Sequence, residues 1–219
     1  MAHKVLVVDV GGSHVKILAT GHKTPRKVAS GSKMTARKMC TWVKKAASDW
    51  SYDVATIGYP APVVHGKPIR EPYNLGKGWV GFDYEKGLGC PVKIINDAAM
   101  QALGSYKGGR MLFLGLGTGL GSAMIVDGIV EPMELAHLPY KKGKTYEDYL
   151  GLRGLKRMGK KKWRKYVDCI VRELQAAMNA DYVVLGGGNA KKIKTLPPKT
   201  LLGANADAFV GGYRLWSER

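Results

Sequence analysis

Cysteine is scarce in this chain, and acid is scarcer than base. Its 219 residues include three cysteines, Cys40, Cys90 and Cys169. Odd in number and widely spaced, they form neither a disulfide framework nor a metal cluster, and they fit a reducing, cytoplasmic setting. The longest apolar runs are strand-sized and far short of a membrane span. The N-terminus enters a strand over residues 4–8 and meets Asp9, with no apolar region or cleavage site of a signal peptide. There is no G-x-x-x-x-G-K-[ST] phosphate loop, and no helix-turn-helix, zinc-finger or aromatic-rich strand motif. Neither a membrane nor a specific nucleic-acid partner is therefore expected.

The shortage of acid is uneven. Thirty-five Lys and Arg against 17 Asp and Glu give a formal charge of +18. No acid lies between Asp9 and Asp49, a stretch that carries Lys16, Lys23, Arg26, Lys27, Lys33, Arg37, Lys38, Lys44 and Lys45. A second basic stretch runs from Lys141 to Lys165. Two readings fit: solvated helix faces that aid solubility, or a polyanion partner such as nucleic acid or a phosphate polymer.

What the chain does have is a strand and glycine turn that occurs twice. The first copy runs from Val5 through Asp9-Val10-Gly11-Gly12-Ser13 to Lys16, and the second from Met111 through Gly115-Leu116-Gly117-Thr118-Gly119 to Ser122. Each is an apolar run, a turn of glycine and hydroxyl residues, and a second apolar run, which is a β-hairpin pattern. Either is an ordinary hairpin or a cradle whose backbone N–H groups reach phosphate oxygens without Cβ interference. Setting Asp9 against Gly115 gives an offset of 106 residues, near half the chain, as duplicated lobes require. Two such turns can grip one phosphorylated ligand, which points to a kinase with a cleft between related lobes.

Further strands are expected at 14–20, 54–57, 92–95 and 182–185. Met39, Trp42, Val43, Ala46, Ala47 and Trp50 recur at helical spacing, so 35–48 reads as an amphipathic helix, its tryptophans in the core. Residues 63–89 read as a long loop region, 111–130 as a hairpin with Asp127-Gly128 at a tight turn, and 145–158, 161–178 and 207–216 as helices. Alternating strands and helices make the class α/β.

Four segments can carry a reaction. Asp9 ends a strand before the first glycine turn and either forms an Asx-type turn or holds Mg²⁺, directly or through water, against phosphates. Asn96-Asp97 lies at a strand end before a helix. Either residue can simply be a helix N-cap; alternatively Asp97 accepts the proton of an attacking hydroxyl while Asn96 orients the acceptor. Glu134 and His137 lie three apart, so on a helical turn they face one way and can reach sugar hydroxyls, or only one another. Gly186-Gly187-Gly188 follows an apolar strand and opens a helix, either as a plain tight turn or as a close approach to phosphates.

In this order the segments resemble the ROK family of sugar kinases, within the actin–hexokinase superfamily, over nearly the whole chain. Asp9 to Ser13 looks like the family's first phosphate motif, and Gly58-Tyr59-Pro60-Ala61-Pro62-Val63 like its Gly-x-Pro segment. Asn74-Leu75 followed by Trp79 is similar to its sugar-site signature, and Ile95-Asn96-Asp97-Ala98 to the segment with the catalytic aspartate. Gly115 to Ser122, Glu134-Leu135-Ala136-His137 and Leu185-Gly186-Gly187-Gly188 match the second phosphate, sugar and nucleotide-side motifs.

The resemblance implies an α/β, two-lobed actin-like ATPase (ribonuclease H-like) fold of sugar-kinase type. One lobe would span 1–97 plus 206–219, the other 98–205. It implies transfer of a terminal phosphoryl group to the 6-hydroxyl of glucose or a similar hexose, by a homodimer. Asp97 would be the general base. Asn74, Asn96, Asp97, Glu134 and His137 would fix the sugar, with Glu147 standing in for a further sugar-binding acid. Asp9 with Mg²⁺, Gly11, Gly12, Ser13, Lys16, Gly117, Thr118, Gly119 and Gly186 to Gly188 would bind the phosphates. The family's frequent Cys-rich zinc motif is absent, so His137 is expected to bind sugar, without zinc. Ala136 replaces a usual glycine, which sets a methyl beside the sugar. The basic excess favours polyphosphate as donor, with ATP as an addition or alternative. A sugar-sensing regulator is the contrasting reading, but its DNA-binding extension is not expected before a strand starting at Lys4. A catalytically dead polyanion-binding protein is a third.

Overall fold

The computed structural model describes residues 3–204 and 206–217. The expected lobe limits at 1, 205 and 219 lie outside them. The chain forms two compact units: unit 1 comprises Met1–Met100 with Ala208–Arg219, and unit 2 comprises Gln101–Asp207.

Unit 1 is built on a five-stranded sheet. Its strands are β1 (Val5–Val10), β2 (His14–Ala19), β3 (Arg26–Ala29), β4 (Val54–Tyr59) and β7 (Val92–Asn96), in the order β3-β2-β1-β4-β7. β1 pairs antiparallel with β2 and parallel with β4. The near-continuous apolar sequences of β1 and β4 follow from this central position, because both faces of these strands are covered. One face packs against α1 (Ala36–Ala46) and α2 (Tyr84–Leu88), around Leu6, Val8, Ile17, Met39 and Val43. Thr35 caps α1 by accepting from Lys38 N–H at 3.3 Å, and Ala36, Met39, Cys40 and Val43 form its buried stripe. The other face packs Val5, Val7 and Val54 against Met100 of α3 (Asp97–Ser105) and Ala208 and Phe209 of α6 (Asp207–Arg214). Buried Thr56 donates to Gly212 O at 2.8 Å and accepts from Trp216 Nε1 at 3.0 Å, so the C-terminal segment closes the N-terminal sheet.

Unit 2 repeats the plan. β8 (Arg110–Leu116), β9 (Leu120–Val126), β10 (Ile129–Met133), β11 (Tyr182–Gly186) and β12 (Thr200–Leu202) lie in the order β10-β9-β8-β11-β12. Antiparallel and parallel pairings fall where they do in unit 1. The last ladder pairs before the two glycine turns are Val10↔Val15 and Leu116↔Leu120, which reproduces the offset of 106. Asp127 and Gly128, at φ 49° and 84°, make the tight turn between β9 and β10. The core lies between the sheet and α4 (Tyr146–Leu150) and α5 (Leu152–Ala177), where Trp163 is fully buried with its Nε1 donating to Leu150 O at 3.0 Å.

Three local expectations change. The region 63–89 is not all loop: it holds the short pair β5 (Val63–Val64) and β6 (Lys67–Pro68) as well as α2. The expected division between 145–158 and 161–178 falls at Gly159 (φ 72°), a conformation glycine adopts freely, but a further break at extended Gly151 separates α4 from α5. The triple glycine opens only a 3-10 turn, Ala190–Lys192, before Pro197-Pro198 forbids further helix.

Candidate functional site

In unit 1 the carboxyl ends of three parallel strands carry the expected groups, where ligands of open α/β sheets bind. Asp9, next to last in β1, pairs in register with Gly58 of β4, which in turn pairs with Ile95 of β7. A Cβ on Gly58 would meet Asp97 Cα at 3.7 Å and run into the Met100 thioether. The glycine there leaves room for the Met100 thioether between α3 and β4. Asn96 accepts from Ala98 and Ala99 N–H at 3.0 and 3.2 Å and donates from Nδ2 to Ala61 O at 3.4 Å. It is thus the helix cap, and it is tied to the Gly-x-Pro segment as well. Half-buried Asp97 accepts from Ala98 N–H through Oδ1 at 2.8 Å.

The first glycine turn follows Asp9. Gly11 N–H donates to His14 O at 2.9 Å, while Ser30 holds the outer carbonyls, Oγ to Gly11 O at 2.6 Å and N–H to Ser13 O at 3.0 Å. Among the described residues nothing accepts from the N–H of Gly12 or Ser13. Two successive unengaged amides are the elements of an anion nest. Lys16 Nζ lies 3.2 Å from Asp9 Oδ2. Asn74 lies over the turn, its Cβ 3.4 Å from where a Gly12 Cβ would stand. Its loop is fastened by Glu71, whose carboxylate accepts from Trp79 and Val80 N–H, and by fully buried Trp79, whose Nε1 donates to Met34 O at 3.3 Å. Trp79 is therefore a core anchor of the Asn-Leu…Trp segment.

In unit 2 the carbonyls of the second turn are pinned from behind. Leu116 O accepts from Asn189 N–H, Gly117 O from Asn189 Nδ2, and Thr118 O from Leu152 N–H, at 2.9, 2.9 and 3.1 Å. Among the described residues nothing accepts from the N–H of Thr118 or Gly119. Gly187, at φ 78°, lies so close that a Cβ would stand 2.7 Å from the Leu116 backbone. The second and triple-glycine turns are thus one packed structure. Glu147 accepts from Leu120 N–H at 3.3 Å and pairs with Arg153 at 3.1 Å, and a Gly119 Cβ would collide with its carboxylate.

Glu134 caps and His137 ends a 3-10 turn (Leu135–His137) that packs on β9 and α4. Ser122 Oγ donates to Met133 O at 2.8 Å and accepts from Leu135 N–H at 3.2 Å. His137 Nε2 and Glu134 Oε2 are 3.5 Å apart, and both side chains are exposed. Ala136, expected to set its methyl beside a sugar, is instead 2% exposed and joins Leu135 in the core, because the tight turn sends these residues opposite to Glu134 and His137.

The expected residues therefore gather as two sets. Asp9, Gly11, Gly12, Ser13, Lys16, Asn74, Asn96 and Asp97 lie in unit 1, and Gly117, Thr118, Gly119, Glu134, His137, Glu147 and Gly186 to Gly188 in unit 2. Sequence reasoning missed the supports Ser30, Glu71 and Arg153. It placed Ser122 and Asn189 within glycine motifs but not the hydrogen bonds by which they hold them. Among the described residues no three of His, Cys, Asp and Glu gather as a metal-holding group. Asp9, whose side chain is 13% exposed, supplies one carboxylate. That fits Mg²⁺, which keeps several waters and takes one or two carboxylates plus phosphate oxygens.

These features define an actin-like ATPase fold of sugar-kinase type, and known proteins bear that out. No family model matches the chain. The polyphosphate glucokinase of Mycobacterium tuberculosis is 27% identical over 212 residues, covering 84% of this chain and 77% of that one. Among solved structures, an inorganic polyphosphate/ATP-glucomannokinase from Arthrobacter superposes with a TM-score of 0.81 at 22% identity, covering 97% of this chain and 98% of that one. A ROK-family glucokinase from Streptomyces griseus, in complex with glucose and AMPPNP, gives 0.76 at 15% identity over 97% and 99%. The chain is thus similar in sequence to polyphosphate glucokinases and has the fold of the ROK sugar kinases, as its motifs imply.

Proposed function

We propose that the protein is a phosphotransferase that moves the terminal phosphoryl group of polyphosphate or ATP to the 6-hydroxyl of glucose or a similar hexose. The observation that carries this reading is the pair of glycine turns at equivalent places in two sheets of one topology, each with two unengaged amides and only one with a carboxylate. Phosphoryl transfer depends chiefly on positioning and electrostatic stabilisation, which such turns supply.

Unit 1 would contribute Asp97 as the base that takes the hydroxyl proton, Asn74 and Asn96 as sugar ligands, and Asp9 and Lys16 beside the first phosphate turn. Unit 2 would contribute Glu134 and His137 to the sugar, and Gly117 to Gly119 with Gly186 to Gly188 to the phosphates. Glu147 would serve the sugar while its carboxylate holds Leu120 N–H. Mg²⁺ held near Asp9, directly or through water, would neutralise donor phosphates. The charge of +18 favours polyphosphate as donor, because a polyanion binding many cations releases counterions. The enzyme would act in the cytoplasm as a homodimer.

The test is purified protein with Mg²⁺, a panel of hexoses, and ATP or polyphosphate, reading sugar phosphate. The proposal expects 6-phosphorylation of glucose or a close relative. No turnover with any pair would overturn it in favour of a binding protein.

A further inference from the structure

The residues assigned above leave the densest charge of the molecule without a role. Between Asp148 and Asp168 the chain has no acid but eight cations, all on α5, and between Asp181 and Asp207 it again has none. Lys156, Lys160, Lys161, Lys162, Lys165 and Lys191 are exposed and have no acidic partner among the described residues. This is not an arrangement that favours the helix. Like charges four apart, as in Lys161 and Lys165, oppose it. So do three lysines on the turn that restarts the helix after the Gly159 kink, at the positive end of its dipole.

The row is fastened to the phosphate turns at both ends. At its start Leu152 N–H donates to Thr118 O, with Arg153 held next to it by Glu147 and Asp148. Further along, Arg164 Nε donates to Lys192 O at 2.6 Å, in the segment that follows the triple glycine, and Asn189 of that segment holds Gly117 O. Everything in this arrangement lies within unit 2. A chain of phosphates whose end lies at the free amides of Thr118 and Gly119 would therefore have the exposed cations of α5 to follow. The one tryptophan of the row, Trp163, is fully buried and offers no face for a base to stack on.

We propose that the exposed cations of α5 from Arg153 to Lys165, with Lys191, form a track for a linear inorganic phosphate polymer that leads into the second glycine turn. The track rests on the donor reading above and names the surface that serves it. It predicts that affinity grows with chain length beyond the few phosphates the turns themselves hold.

The experiment compares wild type with Lys160→Gln/Lys161→Gln/Lys162→Gln, and with Arg37→Gln/Lys44→Gln/Lys45→Gln on α1, which removes equal charge from an exposed face of unit 1. Direct binding of long-chain polyphosphate across a salt series is measured beside KM for long-chain polyphosphate, tripolyphosphate and ATP. The track predicts that the α5 variant raises the long-chain KM about tenfold and flattens the slope of log affinity against log salt by about 2, at about 0.7 per phosphate neutralised. The loss should shrink as the polymer shortens, and the α1 variant should show neither effect. Equal losses in the two variants, or equal losses at every chain length, would overturn the track while leaving the kinase reading intact. Binding that changes as predicted in a protein without turnover would support the track and overturn the kinase. Single-stranded DNA bound as tightly as polyphosphate of equal charge would overturn the choice of polymer.

Discussion

The two units share a strand order and a turn position but differ in what stands beside the turn. At the end of β1 the residue that pairs with Gly58 is Asp9; at the end of β8 the residue that pairs with Gly186 is Gly115. The supports differ as well. Among the described residues Ser30 alone props the carbonyls of the first turn, whereas Asn189, Leu152 and Glu147 brace the second from three segments. On the reading proposed above, the first copy would place a carboxylate and, with it, Mg²⁺ near phosphate, and the second would present backbone amides held by its braces. A duplicated architecture would in this way support unequal chemistry.

The largest effect should come from unit 1. Asp97→Asn is expected to lower turnover by about 10²–10⁴-fold, the range for loss of a general base, with little change in thermal unfolding. Near-wild-type turnover would remove the carboxylate chemistry from unit 1. The next tests concern bracing. Gly187→Ala forces a left-handed residue against the Leu116 backbone and should cost about 2 kcal/mol or more in denaturant unfolding. Gly119→Ala should displace Glu147 from Leu120 N–H, a charged hydrogen bond of about 1.5 kcal/mol, and raise the donor KM about tenfold. Gly12→Ala meets only ordinary contact with Asn74 and should leave stability within about 0.5 kcal/mol. Equal stability losses at 12 and 119 would erase the difference in bracing.

The smallest effect concerns α4, which carries Glu147. Thr145 and Asp148 form a reciprocal cap, and Thr145→Ala should cost about 1 kcal/mol of unfolding free energy. Hydrogen bonding from the Thr145 backbone N–H holds the Asp148 carboxyl below its ordinary value. Such a group stabilises the fold fully above the unfolded carboxyl pKa, about 3.9, and the contribution is lost as pH falls through the lower folded value. The Thr145 hydroxyl also lowers the Asp148 value by donating to its Oδ2 at 3.2 Å, and Thr145→Ala removes that bond while keeping the backbone one. The wild-type advantage over Thr145→Ala should therefore shrink on acidification below about pH 4; an advantage that grows would contradict the cap.

Much of this was legible in the chain itself, because short-range pattern encodes it. The apolar runs of β1 and β8, the Asp127-Gly128 turn and the i, i+3, i+4, i+7 spacing of Met39, Trp42, Val43 and Ala46 are local signals. The equivalence of Asp9 and Gly115 followed from spacing alone. What stayed hidden depends on residues far apart in sequence. Nothing near Leu120 announces that Glu147, 27 residues on, accepts its N–H, and nothing near Gly117 points to Asn189. The Ala136 methyl was misassigned for a related reason: which side of a 3-10 turn faces the core is set by packing on β9 and α4.

The central claim is that the first turn handles metal and phosphate together while the second handles mainly phosphate. A Mg²⁺ titration of sugar-phosphate formation in wild type, Asp9→Asn and Gly119→Ala tests it most directly. The account predicts that Asp9→Asn raises the Mg²⁺ concentration for half-maximal rate by about 10–100-fold, while Gly119→Ala raises the donor KM at an unchanged Mg²⁺ midpoint. An unchanged midpoint in Asp9→Asn, or the same shift in both variants, would contradict it.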